Sequence, residues 1–326
     1  MTAQEQKRVL ITSNAFIEHT EYFEPLAEAG FEIGHTEEGP LSSERLLEVL
    51  PGHVATIAAV DDYNAEVLSA ADDLRVISRW GVGLDSVDVQ AATENDIIVT
   101  YTPGMVSSSV ADMTFALILA LGRDLINAAE RGGRGEWVQK QAEDIFGTTL
   151  GIIGFGSIGQ AVAYRARGFD MRVLAYDPFP DEVSAKALGV EWAEPDELLA
   201  ESDYVSLHCA LTDENEHMIS ARELELMKDS AYLINTARGG LIDSKALVAA
   251  LQQGTIAGAA LDVLPEEPPP DDEPLLEAPN CIVTPHNSFY NPTSVRQVNE
   301  QVVTNILDAF AGRVTDYIVN PEVMQA

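Results

Sequence analysis

The run Gly154-Phe155-Gly156-Ser157-Ile158-Gly159 is a G-x-G-x-x-G. Glycine-rich hexamers arise by chance, but this one follows the β-rich stretch 149–153 and opens a helical stretch, 157–167, closed by Gly168. That strand–turn–helix context is what a phosphate-binding turn needs. There the first glycine permits the tight turn, the second lets the backbone approach a pyrophosphate, and the third allows close helix–strand packing. The helix N-terminus attracts the anion. Asp177 ends the next strand, directly after Tyr176, where an acid accepts hydrogen bonds from ribose hydroxyls and repels a 2′-phosphate. No Arg or Lys follows in Pro178-Phe179-Pro180-Asp181, so the residues favour NAD(H) over NADP(H). The structural alternative is a glycine turn that binds nothing.

Four more chemically able residues stand at the ends of later strands, where open parallel sheets place their ligands. Arg238 follows Asn235-Thr236-Ala237, Asp262 ends a strand, Glu267 precedes Pro268, and His286 follows Thr284-Pro285. Singly, each has a structural alternative. The His can be a packing residue, the Arg a helix cap, Asp262 a turn cap, and Glu267 one more surface acid among 53 acidic residues.

The elements that must position these residues alternate. Strands are expected at 149–153, 171–176, 204–207, 232–235, 257–261 and 281–284, with helices at 157–167, 195–200 and 244–253. Ser220-Ala221-Arg222-Glu223 is a capping-box sequence opening a further helix. This rhythm signals βαβ units and a parallel sheet covered by helices on both faces. The first hundred residues repeat it with strands near 9–11, 56–60, 76–78 and 97–100. Pro103-Gly104 then precedes a long apolar helix, about 108–129, and a last helix spans about 294–311. The reading is two α/β domains, the last helix returning to the first.

Apolar residues make up 46% of the 326, enough to exclude a wholly disordered chain. No apolar run approaches the ~18 residues of a membrane span. The polar N-terminus, 1–8, contains no signal-peptide core, so a soluble cytoplasmic protein is expected. The formal charge is −34, with acids dispersed along the chain. Dispersed acids describe a solvated surface over an ordinary core, and the favoured reading is adaptation to high salt, where self-repulsion is screened. A DNA mimic is the alternative. No basic stripe exists to bind nucleic acid. Cys209 and Cys281 lie in apolar runs without metal-ligand spacing, so buried reduced thiols and no metal are expected.

With these motifs in order, the chain resembles the D-isomer-specific 2-hydroxyacid dehydrogenases, notably the phosphoglycerate dehydrogenase-like branch. Its residues Arg79-Trp80-Gly81-Val82-Gly83-Leu84-Asp85-Ser86-Val87-Asp88 look like that family's substrate loop. Pro103-Gly104, 151–159, 235–240, Leu261-Asp262-Val263 and Thr284-Pro285-His286 follow at family spacing. The resemblance implies two Rossmann-like, doubly wound parallel-sheet domains, with the cofactor domain inserted into a discontinuous substrate domain. The expected ranges are 1–103 with 294–326 for a flavodoxin-like substrate domain and 104–293 for the NAD-binding domain. It implies a homodimer formed largely through the helix after Pro103-Gly104.

The resemblance makes His286 the general acid/base, Glu267 its carboxylate partner and Arg238 the substrate clamp. An imidazole suits proton exchange with the hydroxyl near neutrality, while Arg can hold a carboxylate bidentately. Gly154, Gly156, Ser157, Ile158, Gly159, Tyr176, Asp177, Cys209, Ala210, Thr236, Ala237 and Asp262 are implied to bind NAD, with Asp262 at the nicotinamide carboxamide. Arg79, Trp80, Gly81, Val82 and Gly83 are implied to bind substrate, the N–H groups around 81–83 receiving its carboxylate.

The leading expectation is 3-phosphoglycerate/3-phosphohydroxypyruvate, the chemistry of serine biosynthesis. Glyoxylate, hydroxypyruvate or a general 2-oxo acid is the near alternative, and an NAD(H)-sensing corepressor-like protein the distant one. Arg79 is read either as a phosphate ligand or as a structural ion pair. Val106, Asp112, Cys209-Ala210 and Asn287-Ser288-Phe289-Tyr290 depart from the branch's usual residues. The regulatory C-terminal domain of long phosphoglycerate dehydrogenases is expected to be absent.

Overall fold

The computed structural model describes residues 7–17, 19–36 and 39–325. Most of the N-terminal stretch read as lacking a signal-peptide core, Met1–Gln6, lies outside the described residues. The chain forms two compact units: Met1–Val106 with Asn291–Ala326, and Ser107–Tyr290.

The discontinuous unit holds strands β1 (Lys7–Ile11), β2 (Phe31–His35), β3 (Ala55–Ala58), β4 (Val76–Arg79) and β5 (Ile98–Thr100). They pair in parallel in the order β2-β1-β3-β4-β5. Every residue of the inner strands β3 and β4 is buried, as expected of strands covered on both faces. Side-chain caps from Ser42, Asn64 and Asp88 start the intervening helices by accepting free N–H groups. The helix Pro292–Phe310 belongs here, capped by Asn291 with proline in its first turn. It buries Val295, Val298, Val302, Val303 and Ile306 and packs on β4.

The continuous unit opens with the helix Ser107–Gly122 and carries β6 (Thr149–Ile153), β7 (Arg172–Tyr176), β8 (Val190–Trp192), β9 (Tyr204–Leu207), β10 (Tyr232–Asn235), β11 (Gly258–Leu261) and β12 (Cys281–Val283). The seven strands are parallel, in the order β12-β11-β10-β9-β6-β7-β8. Side chains alternate across such a sheet. Ile153, Leu207, Leu233 and Leu261 enter one core, while Ile152, Ile234 and Ala260 enter the other with the long helix's Phe115 and Ile118. The sheet is therefore doubly wound. Its strand order reverses between β6 and β9, the switch point where ligands bind in such folds.

One expected element is split. The helix read as 108–129 is two, Ser107–Gly122 and Leu125–Gly133, because Asp124 between them adopts a left-handed φ of 49°. Its carboxylate accepts hydrogen bonds from Asn127 and Arg131 and holds the break in place. Among the described residues no helix is long and apolar enough to cross a membrane.

Candidate active site

At the switch point the three glycines of the turn have separable reasons. Gly154 has φ 96°, and a Cβ there would strike the backbone of His208 and Cys209 after β9. A Cβ on Gly159 would strike the Gly154 carbonyl, so helix 157–166 lies directly against the turn. A Cβ on Gly156 would meet open space. Packing therefore fixes the outer two, and the middle glycine leaves the turn's outer side bare. Ser157, exposed at the helix start, accepts a hydrogen bond from Ser107 at 3.0 Å, and Ile158 packs partly into the core. Gly154 donates to the carbonyl of Tyr176.

The carboxylate of Asp177 accepts from the Phe155 N–H at 2.7 Å and the Phe179 N–H at 2.9 Å. It thus braces the turn besides facing outward at the strand end. Beneath the turn, burial pushes the His208 imidazole down to about 3, keeping it neutral, and its Nε2 pairs with Ser206 Oγ at 2.8 Å. Cys209 is half-buried beside Met218, its thiol pushed up to about 11 by burial; Cys281 is likewise pushed up to about 12. Ala210 is exposed, and its carbonyl accepts from Asn215.

The same strand ends bring the catalytic candidates together. His286 Nδ1 lies 2.5 Å from Glu267 Oε2, and Glu267 Oε1 accepts the Leu264 N–H at 2.9 Å. Burial pushes the Glu267 carboxyl up. The hydrogen bond and charge of His286, the Leu264 N–H and the charge of Arg238 outweigh that and hold it below the usual carboxylate range. Arg238 follows β10 and donates to the Ala237 carbonyl. Its loop is braced by Asn235, whose side chain accepts from Ala237 N–H and donates to the Arg238 carbonyl. Gly239 lets this loop touch the backbone at Leu264–Pro265, since a Cβ there would overlap it. That contact carries Arg238 to the Glu267 side. Thr236 is buried against Thr114.

Asp262 is fully buried, and its carboxylate is turned onto the His286 segment. It accepts from Thr284 Oγ1 at 2.6 Å, Asn287 N–H at 3.1 Å and Ser288 N–H at 2.9 Å. Its own carbonyl accepts the His286 N–H at 2.8 Å. These bonds hold His286 at φ 48°, a conformation that needs such over-determination in a non-glycine residue. The ring of Phe289 stands edge-on to the imidazole, centroids 6.1 Å apart. Sequence reasoning assigned no role to Asn235, Gly239 or the Thr284 hydroxyl. The partners of Gly239 and Thr284 are distant in the chain, whereas those of Asn235 lie two and three residues on.

In the other unit, Arg79 ends β4 and is 6% exposed, its guanidinium lying under Gly81 and donating to the Trp80 carbonyl. The sequence left a phosphate ligand and a structural residue equally open here, and the burial favours the second. Gly81 has φ 135°, and its N–H donates to Thr102 Oγ1 and the Arg79 carbonyl. Of the N–H donors expected at 81–83, that of Gly81 is thus engaged within its own unit. Of the three N–H groups at 81–83, those of Val82 and Gly83 have no partner among the described residues. No group of three His, Cys, Asp or Glu side chains gathers at metal-binding distance among the described residues.

A seven-stranded doubly wound sheet with a glycine turn at its switch point is a dinucleotide-binding domain. Residues 115–288 match the family model described as D-isomer specific 2-hydroxyacid dehydrogenase, NAD binding domain. The chain is 40% identical to a glyoxylate reductase of Korarchaeum cryptofilum, covering 89% of each chain. It is 40% identical to a D-3-phosphoglycerate dehydrogenase of Methanocaldococcus jannaschii over 90% of this chain but 57% of that one. The crystal structure of a D-lactate dehydrogenase from Aquifex aeolicus, complexed with NAD and lactic acid, superposes with a TM-score of 0.86. It shares 32% identity over 96% of this chain and 99% of that one. The chain belongs to the D-isomer specific 2-hydroxyacid dehydrogenase family and is an NAD-dependent enzyme of that class.

Proposed function

We propose that the chain reduces small, unphosphorylated 2-oxo acids, of which glyoxylate is the simplest, and in reverse oxidises D-2-hydroxy acids. The observation that carries the chemistry is the 2.5 Å contact between His286 and Glu267. An ionised Glu267 accepting from Nδ1–H fixes the tautomer and leaves Nε2 for the substrate oxygen. His286 then gives a proton to the carbonyl oxygen in reduction and takes it from the hydroxyl in oxidation. Arg238 holds the substrate carboxylate as a two-pronged donor and polarises the neighbouring carbonyl. The Val82 and Gly83 N–H groups are assigned to binding of a substrate carboxylate.

The Ser107–Tyr290 unit is assigned to the cofactor and the other unit to the substrate. The bare side of the turn at Gly156 fits a pyrophosphate. Gly154, Ser157, Ile158 and Gly159 complete that cradle, Tyr176 and Asp177 take the ribose, and Cys209, Ala210, Thr236, Ala237 and Asp262 line the remainder. When bound, the dinucleotide supplies or accepts the hydride at C2. Asp177, with no cation following it in 178–181, supports NAD over NADP.

The buried Arg79 argues against the phosphorylated substrate favoured by the sequence alone. The similarity to glyoxylate reductases supports the smaller acid. A homodimer is proposed through 125–146 more than through the largely buried helix before it. This stretch exposes Leu125, Ile126, Trp137 (91%), Val138 and Phe146.

The test is NADH oxidation with glyoxylate, pyruvate, hydroxypyruvate and 3-phosphohydroxypyruvate, for the wild type and His286→Gln. The unphosphorylated acids should be preferred, and the variant should lose about 10²-fold in turnover while still binding NADH. Preference for the phosphorylated acid would defeat the substrate assignment. Wild-type turnover in the variant would defeat the role of His286, and tight NADH binding with no turnover would identify a sensor.

A further inference from the structure

Trp80 stands between β4 and the Val82–Gly83 donors, and its indole is buried. Its Nε1–H donates to Oδ1 of Asn299, on the helix Pro292–Phe310, at 2.6 Å. Asn299 is fully buried, and its Nδ2 has no acceptor among the described residues. The amide cannot simply be turned round, because Nδ2 would then face the indole N–H. A buried donor left unmet costs stability, whereas an apolar pair would fill the same space without that cost. Packing alone therefore does not account for this pair.

Further polar contacts among the described residues run along the same seam of the helix. Ser78 Oγ donates to the Val302 carbonyl, Asn305 to the Tyr101 carbonyl, and Ser294 to the Met105 carbonyl. Those contacts hold backbone. Asn299 is different in holding a side chain of the loop itself, at the residue before Gly81. The backbone of Gly81 is fixed independently by Thr102, whose N–H and Oγ1 both bond to it. Among these anchors of the loop, the indole is the one reached from the distant helix.

We infer that Asn299 is a positioning residue for the substrate loop, setting the direction of the Val82 and Gly83 N–H groups through the indole of Trp80. This rests on the assignment of those donors to the substrate carboxylate. Loosening the indole weakens carboxylate binding in ground state and transition state alike, which raises KM and spares kcat.

The experiment measures KM and kcat for glyoxylate, and NADH affinity, in Trp80→Phe, Asn299→Leu and the double variant. Each single variant should raise KM at least about fivefold with kcat changed less than about twofold. NADH affinity should hold, and the double variant should be no worse than the poorer single one, since both break one contact. Wild-type KM in Asn299→Leu beside a raised KM in Trp80→Phe overturns the inference, as do effects that multiply in the double variant. Wild-type KM in Trp80→Phe as well removes the loop assignment itself and the inference with it. Should Asn299→Leu not fold, the indole N–H resonance of Trp80 in the wild-type NADH complex, identified by its loss in Trp80→Phe, must shift on adding oxamate. An unmoved resonance overturns the inference.

Discussion

Changing Asp262 to Asn removes one charge and turns one hydrogen-bond acceptor into a donor, at a residue that touches His286 only through the backbone. Three donors converge on the carboxylate: the Thr284 hydroxyl and Asn287 N–H on Oδ1, and the Ser288 N–H on Oδ2. An amide can keep the first two as neutral bonds, each weaker by about 1 kcal/mol, but sets its NH2 against Ser288 N–H, an unmet donor worth about 1–3 kcal/mol. Relief from burying a charge returns part of this, leaving a net loss of roughly 2–4 kcal/mol. For a unit of this size that lowers Tm by about 5–15 °C. A catalytic imidazole displaced by about 1 Å loses about 10²-fold in kcat. The assay pairs thermal melts with steady-state reduction and NADH titration. A variant with wild-type Tm and kcat, whatever its NADH affinity, would refute the reasoning, because the carboxylate would then not be what holds the turn.

Arg238→Ala should lower kcat/KM by about 10²–10³-fold with NADH affinity kept, since a charge-assisted double contact is lost; an unchanged value would place the clamp elsewhere. The His208 imidazole is held near 3 when folded but near 6.5 when unfolded, so between those pH values the unfolded chain binds a proton that the folded one refuses. Stability therefore falls with acid through this window by up to about 1.4 kcal/mol per pH unit from this one group. Denaturant melts at pH 6 and pH 5 should show a flatter dependence in His208→Asn, and an unaltered slope would exclude His208 as the cause. With a formal charge of −34, Tm and turnover should both rise between 0.1 and 2 M KCl, as the Debye length shrinks from about 10 Å to below 3 Å. A flat response would remove the salt-adaptation reading.

The sequence was most readable where local pattern and burial agree. Strands β6, β9 and β10 and the helix Ser244–Gln253, ended by Gly254 at φ 69°, stand where their apolar runs and stop signals place them. The capping box at Ser220–Glu223 forms, Glu223 accepting the Ser220 N–H. The missed strands β2 and β8 are both sheet edges, with only Phe31 buried in the first and no residue buried in the second. An edge strand needs little apolar pattern, so it leaves little trace. At the site, residue types were legible because glycine turns and strand-end His, Arg and acids are local signatures. What each atom touches was not. The orientation of Asp262 depends on residues 284–288, Gly239 on 264–265, and the choice for Arg79 on burial, all products of tertiary packing.

The discontinuous unit also has a consequence in time. Residues 107–290 emerge from the ribosome as one continuous segment, whereas the sheet β1–β5 lacks its helix 292–310 until that segment has been made. At synthesis rates of 5–20 residues per second the wait is about 10–40 s. Throughout it, the face of β4 that later receives Val298 and Val302 has no cover from its own helix. Released chains truncated after residue 290 should therefore carry a protease-resistant 107–290 core and a 7–106 segment that is still cleaved, which makes the first-made unit the last to be finished.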